Sequence, residues 1–582
     1  MADTSTTAPR APRQIRQRRS PWQLLRANFY DIALLLRDSY LALIGFGIVM
    51  AIGTLYLQRA ERLSIPAALY ESLRLLIFQS SFALPADLIG ALIFFLIPLV
   101  SILLVAQGVL AFGRRLLDKG SRVEAWQVAL ASTYHQHVIV CGLGRVGIRV
   151  ATRLIQAGYE VAVVERAWDS DQVARALAMH IPVVVGDARE PVTLRQAGLQ
   201  RAKAVIAVVN DDLVNVEIAL ACRASVPGIR VILRAFHEEV DRNLERLLGP
   251  DVAFSTSALA APTYAAAALH RGIDYVLTIG HSAEQLAVAT LTLPPGESSG
   301  GDVATFERQR QVRVLPTGAG DRAPTTLSAG KPISLIGSLP SIAALRSAAM
   351  PSPGESANTV LVCGVGKVGY RVVRQLAENP EHPQVIALHD ATEQHVSGSY
   401  AHHIIGLPNV SVREGDVRHT DVLEAAGLGT ATAVAALTSN DFVNLQVALA
   451  ARHARPDVHI VLRVFSDALA ERLVDLFGIH TTYSTSDLAA PTLAAAAVLP
   501  GATQAFFANG ALFSTDPRLV SERDGYHGRT VGSLREHDGL LVVALCRDGL
   551  TTTLPEPETG LAPGDEITLL APLKTLTRMH DV

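Results

Sequence analysis

The chain has 582 residues, too many for one hydrophobic core, with 49% hydrophobic and 18% charged residues and a formal net charge of −3. Charges of both signs are spread along it without a basic stripe, which argues against nucleic acid as a partner. Cys141, Cys222, Cys363 and Cys546 form no CxxC pair, so neither a disulfide framework nor a metal site is indicated, and Cys141 and Cys363 read as core residues at strand ends.

Residues 1–38 read as a cytoplasmic tail, disordered before Ser20. After it Trp22, Leu25, Phe29, Ile32 and Leu36 recur at the spacing of an interfacial helix. Residues 39–115 read as a two-span helical transmembrane module. The uncharged run from Ser39 to Gln58 is about as long as a bilayer core is thick, and a second run, Leu88 to Gly113, contains Pro98 and Gly108 as candidate hinges. The late start of the first run and the presence of the second exclude a signal peptide. Arg10, Arg13, Arg16, Arg18, Arg19, Arg26 and Arg37 precede the first span, and Arg114, Arg115, Lys119 and Arg122 follow the second. The positive-inside bias then predicts a multi-pass protein of the cell membrane with both termini cytoplasmic.

Between the spans, Pro66 to Phe78 reads as a helix and Gln79, Ser80, Ser81 and Phe82 lead an extended loop to Asp87. A re-entrant segment over 66–87 is the layout of a cation-channel pore, whereas a plain hairpin anchor with an amphipathic external loop fits this stretch equally well. Residues 116–135 read as a linker.

An internal repeat follows. His137 to Gly147, with Gly142, Gly144 and Gly147, returns as Asn358 to Gly369, with Gly364, Gly366 and Gly369. Further on, Asn215 matches Asn444 and Ser255 to Thr263 matches Ser484 to Thr492, both at an offset of 229. Each half alternates strand and helix signals, which predicts a doubly wound, Rossmann-like α/β fold closed by a small β-rich lobe. The first half is expected over 136–349 (sheet to 270, lobe 271–349), a linker over 350–357, and the second half over 358–582 (sheet to 500, lobe 501–582).

Glycines between a strand and a helix permit a tight turn, and the helix N-terminus favours a phosphate. Candidate ligand residues in the first half are Gly142, Gly144, Arg145, Val146 and Gly147. They are joined by Glu165 and Arg166 at the end of the second strand, Asp187 and Ala188 after the third, Asn210, and Arg234. Glu165 comes 23 residues after Gly142, where a carboxylate can hold ribose hydroxyls. The second half offers Gly364, Gly366, Lys367, Val368, Gly369, Asp416, Val417 and Arg463, but puts His389 opposite Glu165 with Asp390 beside it, so this cleft takes a different ligand or none. Arg145 and Lys367 read as helix-surface charges or phosphate ligands, Asp187 and Asp416 as ligand residues or turn caps, and Arg234 and Arg463 as phosphate contacts or salt bridges.

The segments 138–147 (VIVCGLGRVG), 186–199 (GDAREPVTLRQAGL) and 415–428 (GDVRHTDVLEAAGL), the NDDLVN and SNDFVN pair, and Gly528 to Leu534 with Pro563 to Asp565 resemble the RCK (regulator of potassium conductance) family, relatives of the Trk/Ktr nucleotide-binding subunits. A pore module followed by two such halves is similar to prokaryotic ligand-gated potassium channels and to the Castor/Pollux channels. The resemblance implies a homotetramer in the lipid bilayer, a cytoplasmic gating ring, NAD(H) or an adenine nucleotide as regulatory ligand, and an unidentified regulatory cation.

One departure limits it. A TVGYG-type filter needs glycines, and none lies between Gly53 and Gly90. The expected pore is therefore wider, hydrated and weakly selective, offering Gln79, Ser80, Ser81, Phe82 and Asp87 to the permeant ion; Asp87 is either a cation-attracting ring or a helix cap. The reading is a ligand-gated ion channel, with a non-conducting membrane-anchored regulator as the alternative. An oxidoreductase is not expected, because no His-Asp or Tyr-Lys pairing stands out.

Overall fold

The computed structural model describes residues 16–17, 20–22, 25–26, 40–77, 79, 81–85, 88–117, 119–236, 249, 252–279, 285–292, 302–317, 324–327, 330–349, 358–390, 400–466, 469–470, 472–473 and 481–580. Three helices open it: α1 (Tyr40–Ala60), the short α2 (Ile65–Leu75) with Pro66 in its first turn, and the 30-residue α3 (Leu88–Leu117). Leu57, Ala68, Leu75, Phe94 and Ile97 form their common core. Gly53 permits this close approach, since a Cβ there would stand 3.0 Å from Ile97 and 3.1 Å from the Ser72 hydroxyl. Ile44, Ile48, Ile52, Leu92, Phe95, Leu96, Leu99 and Leu103 face outward, an apolar exterior that water alone would not favour.

Within α3 the 18 residues Gly90–Gln107 are long and apolar enough to cross a membrane; in α1 the described apolar part, Ile44–Ala60, is shorter. Among the described residues one helix therefore meets the length and composition expected of two. Pro98 and Gly108 both lie inside the unbroken α3.

The segment 116–135, read as a linker, is largely helical: α3 is followed after one residue by α4 (Lys119–Ala131), and Ala129, Leu130, Ala131 and Tyr134 are fully buried with the first sheet. The tail before Ser20 is not wholly detached. Gln17 is buried, its N–H donating to the Met179 carbonyl (2.9 Å) and its Oε1 accepting from the Val161 N–H (3.0 Å).

The first nucleotide fold runs β1 (Val138–Cys141), α5 (Arg145–Gln156), β2 (Val161–Glu165), α6 (Asp171–Ala178), β3 (Val183–Val185), α7 (Pro191–Gln196), β4 (Ala204–Ala207), α8 (Asp212–Ser225), β5 (Arg230–Arg234), β6 (Ala253–Phe254) and α9 (Thr256–Leu269). Its β-branched strands are buried on both faces, as a parallel sheet covered by helices requires. The order β3-β2-β1-β4-β5-β6 is the doubly wound one, which places the glycine turn at the switch point between β1 and β4. A four-stranded lobe follows: β7 (Tyr275–Thr278), β8 (Gln285–Thr292), α10 (Val303–Arg310), β9 (Val312–Val314), β10 (Pro332–Ser338) and α11 (Leu339–Ala349).

The second half repeats the plan with β11 (Thr359–Cys363), α12 (Gly369–Ala377), β12 (Gln384–His389), β13 (Val410–Glu414), α13 (Thr420–Ala425), β14 (Ala433–Ala436), α14 (Asp441–Ala454), β15 (His459–Arg463), β16 (Thr482–Tyr483) and α15 (Thr485–Val498). Its lobe comprises β17 (Ala505–Ala508), β18 (Ala511–Leu519), α16 (Val531–Asp538), β19 (Leu541–Arg547), β20 (Leu550–Thr553), β21 (Glu566–Pro572) and α17 (Leu573–His580).

The halves exchange α9 and α15, the helices that end their doubly wound folds. Val138, Val140, Val161, Val163 and Ile206 of the first sheet share a core with Leu493, Ala494 and Ala497 of α15, while Val360, Val362, Val385 and Val461 of the second share one with Ala260, Tyr264 and Ala267 of α9. The alanine-rich sequences of α9 and α15 explain why they can be buried nearly all round: small side chains let sheet, lobe and the partner helix approach together. Chain order therefore misassigns both helices, and neither sheet completes its core without the other half.

Candidate nucleotide-binding clefts

The three glycines of each turn have distinct tasks. Gly142 and Gly364 adopt φ of +95° and +99°, a left-handed conformation that side chains disfavour. Gly147 and Gly369 are pressed so closely on the carbonyls of Gly142 and Gly364 that a Cβ would overlap the oxygen. A Cβ at Gly144 or Gly366, by contrast, would meet nothing within 4 Å: there is open space at the turns that lead into α5 and α12. This is the geometry with which a glycine turn admits a pyrophosphate, so the residues present fit a dinucleotide or adenine nucleotide.

In the first half Glu165 completes the cleft. Its carboxylate accepts from the Leu143 N–H (2.6 Å) inside the glycine turn and from the N–H groups of Arg166 (2.8 Å) and Ala167 (3.1 Å). That network fixes an acceptor where a ribose diol would donate. The second cleft keeps the backbone and loses this chemistry. The Gly415 N–H bonds the His389 carbonyl just as the Gly186 N–H bonds that of Glu165, which confirms the register, but the His389 Nδ1 is buried with no hydrogen-bond partner among the described residues.

The other candidates divide three ways. Val146, Ala188, Val368 and Val417 are core residues, so only their backbones can face a ligand. Asp187 and Asp416 serve the turn after the third strand: hydrogen bonds from the Arg189 and Arg418 guanidinium groups hold their carboxyls down to about 2. Asn210 is exposed beside Asp211, which caps α8, and Arg166 is exposed. Asp390 ends the described part of its loop.

Arg145 and Lys367 are neither free surface charges nor held over their own turns. Each reaches the opposite half, the Arg145 guanidinium lying 4.1 Å from the Phe465 ring and the Lys367 ammonium 3.5 Å from the Phe236 ring. Arg463 and Arg234 stack on the same rings from within their own halves, at 4.6 and 4.2 Å. Burial, with Arg463 nearby and Asp212 opposing, pushes the Arg234 guanidinium down to about 10, and burial lowers Arg463 and Lys367 too.

Two sets of residues were not recognised as positioning groups from sequence. Asn215, fully buried, accepts from the Val209 N–H and donates to the carbonyls of Val209 and Arg234, all at 2.9 Å, so it ties the end of β4 to the end of β5; Asn444 does the same with Thr438 and Arg463. Asp212 and Asp441 accept from the N–H groups of Phe236 and Phe465, which sets those rings in place. The repeated NDDLVN and SNDFVN segments carried the signal.

Of the residues expected to face an ion path, Ser80 and Asp87 lie outside the described residues. Ser81 is tied back to α2: Glu71 accepts from its N–H (3.2 Å) and hydroxyl (3.0 Å) and from Arg74 (3.0 Å), and Arg74 also bonds the Ser81 hydroxyl. Gln79 is exposed, with its N–H on the Arg74 carbonyl (3.0 Å), and Phe82 packs on the core of the three helices. Side chains rather than glycine-borne carbonyls thus shape this loop.

Comparison with known proteins agrees with this architecture. Residues 138–256 and 360–485 match the TrkA-N domain, and residues 518–581 the TrkA-C domain. A Trk system potassium uptake protein TrkA homolog of Archaeoglobus fulgidus is 25% identical over 333 residues, 54% of this chain and 71% of that protein. The voltage-gated potassium channel Kch of Escherichia coli is 26% identical over 121 residues, 20% of this chain and 29% of Kch. The solved structure of the GsuK channel matches 94% of this chain and 99% of its own with a TM-score of 0.56 at 17% identity, and the GsuK channel bound to NAD gives 0.52 at 18% identity over 94% and 98%; both show a shared fold.

Proposed function

We propose that this chain, which belongs to the TrkA-N/TrkA-C (RCK) family through its two TrkA-N domains and its TrkA-C domain, is a ligand-gated ion channel. The observation that carries the proposal is the connection between membrane helix and cleft. Helix α3 passes after one residue into α4, whose end is buried in the first sheet beside the strands that hold the glycine turn and Glu165. Displacement of that sheet would thereby be passed to α3.

Topology supports two spans. Gln17, before α1, and Tyr134, after α4, both dock on the first sheet, so the chain leaves and returns on one side and crosses an even number of times, through α1 and α3. Both termini then lie in the cytoplasm, with the protein in the cell membrane. The pore forms by assembly of copies, a homotetramer being what the family resemblance implies, and the apolar outward faces of the helices suit a bilayer. The ligand is NAD(H) or an adenine nucleotide in the first cleft, where Gly144 leaves room for the phosphates, the α5 N-terminus attracts them and Glu165 takes the ribose. Gating free energy is the difference in ligand affinity between open and closed forms. The permeant ion is a cation, with weak selectivity because no glycine-borne filter is present. No catalysis is assigned, and reduced nicotinamide cofactors should not be turned over.

Reversal potentials in proteoliposomes test this reading: cation currents with little preference for potassium over sodium are expected, and strong potassium selectivity would refute the pore account. The second reading is a membrane-anchored regulator of a partner transporter, which absence of any current from the purified protein would favour over the channel.

A further inference from the structure

The exchanged helices are held by two seams that the repeat makes comparable position by position. In the first, α5 against α15, Asp487 bridges Arg149 (3.2 Å) and Arg153 (2.7 Å), and the Arg230 Nε donates to the Ala496 carbonyl (2.5 Å) in the last turn of α15. A cation at a helix C-terminus complements the dipole there. In the second, α12 against α9, three of these groups are replaced. Ala258 stands where Asp487 does, Gln375 stands for Arg153 and bonds Gln285 (3.0 Å), and His459 stands for Arg230, its Nε2 2.7 Å from the Ala267 carbonyl. Burial keeps this imidazole uncharged near neutrality, with Arg271 and Arg452 adding to the effect. Arg371 reaches the Ser257 hydroxyl (2.5 Å) where its counterpart Arg149 reaches a carboxylate. The second seam adds His270 at 2.9 Å from Glu381, a carboxylate about as exposed (38%) as Asp487 (41%), but its single partner is charged only when the imidazole is protonated, whereas Asp487 has two guanidinium groups that are always charged.

We propose that the two seams are unequal by construction. The α5–α15 seam, cross-linked by a carboxylate between two guanidinium groups and capped by an arginine, holds; the α9–α12 seam, where Arg371 meets a hydroxyl in place of a carboxylate and a histidine takes the place of the capping arginine, yields first. Resting on the gating reading above, the deeper consequence is that ligand-driven rearrangement of the tandem halves takes place at α9–α12. The first half, which alone carries the chain into α3, then stays one body with α15 while the second half shifts against α9.

Hydrogen exchange measured by mass spectrometry on the full-length protein in detergent micelles tests this on α9 and α15, neither of which bears a glycine turn. Amides of α9 should exchange about tenfold faster than those of α15. Asp487→Ala should bring the two within about threefold, and Ala258→Asp with Gln375→Arg should slow α9 selectively. Adding NAD+ should alter exchange in α9 more than in α15. Exchange in α15 as fast as or faster than in α9, or an unchanged difference in Asp487→Ala, overturns the inequality; unequal seams with no response to NAD+ anywhere would instead sink the gating reading and leave the inequality standing.

Discussion

At the end of its second strand the first sheet carries Glu165 and the second His389; at the start of its fifth the first carries Arg230 and the second His459; on the exchanged helices Asp487 of one corresponds to Ala258 of the other. The strands that carry the first two pairs occupy the same places in the two sheets. Duplication thus preserved what the backbone demands, the left-handed Gly142 and Gly364, the abutting Gly147 and Gly369 and the clamping Asn215 and Asn444, while it released what a ligand or a seam demands. One half carries a carboxylate at its glycine turn and is continuous with the N-terminal helices; the other keeps the fold with different polar chemistry.

The largest effect that would sharpen this contrast is on ligand affinity. Gly144→Asp puts a carboxylate into open space, so the fold should survive while NAD+ affinity, measured calorimetrically on the full chain, falls at least about a thousandfold through charge repulsion and lost phosphate contact. Gly366→Asp, equally unobstructed, should change it by less than about threefold. Comparable losses from both would erase the distinction between the clefts.

Acid should act on both halves. Burial holds His137 and His459 at about 4, with Arg201 and His135 adding to the shift at the first and Arg271 and Arg452 at the second. Because the unfolded imidazole titrates near 6.5, the unfolded chain binds more protons between pH 6.5 and 4. Stability is therefore full above pH 6.5 and declines as the pH falls through that window, by roughly 3 kcal/mol per histidine. Thermal melts across this range should show the decline, and replacing either histidine by Gln should remove part of it.

Next in size, Asn215→Ala and Asn444→Ala should each cost about 2 kcal/mol by stranding backbone groups at two strand ends, an equal loss that denaturant titration would detect; a marked inequality would show that the clamp is not common to both halves. Smallest, Phe465→Ala and Phe236→Ala should each cost about 1 kcal/mol by removing a ring shared between two cations, and should weaken cooperativity between the halves more than nucleotide affinity itself.

Much of this was legible in the sequence where the signal is local. The glycine spacing, the β-branched runs and the offset of 229 between Asn215 and Asn444 give the sheets, and the β-rich run ending at His389 sets that residue against Glu165. What could not be read is which partner each element chooses. Helix α9 is alanine-rich on every side, so its periodicity names no face and no sheet, and its burial on the opposite half emerges only from long-range packing. For the same reason Arg145 and Lys367 looked like surface charges, since their aromatic partners lie in the other half. The helix Lys119–Ala131 was hidden by the basic residues at its start, and the docking of Gln17 rests on two hydrogen bonds no pattern announces.

The central claim, that the first cleft governs an ion path through the helices before it, is tested most directly by single-channel recording from the purified protein in a planar bilayer while NAD+ is perfused on the side of the nucleotide folds. Currents whose open probability changes with NAD+ in the native protein, and not in Gly144→Asp, are the result predicted here. A silent bilayer, or channels equally indifferent to NAD+ in both proteins, would contradict it.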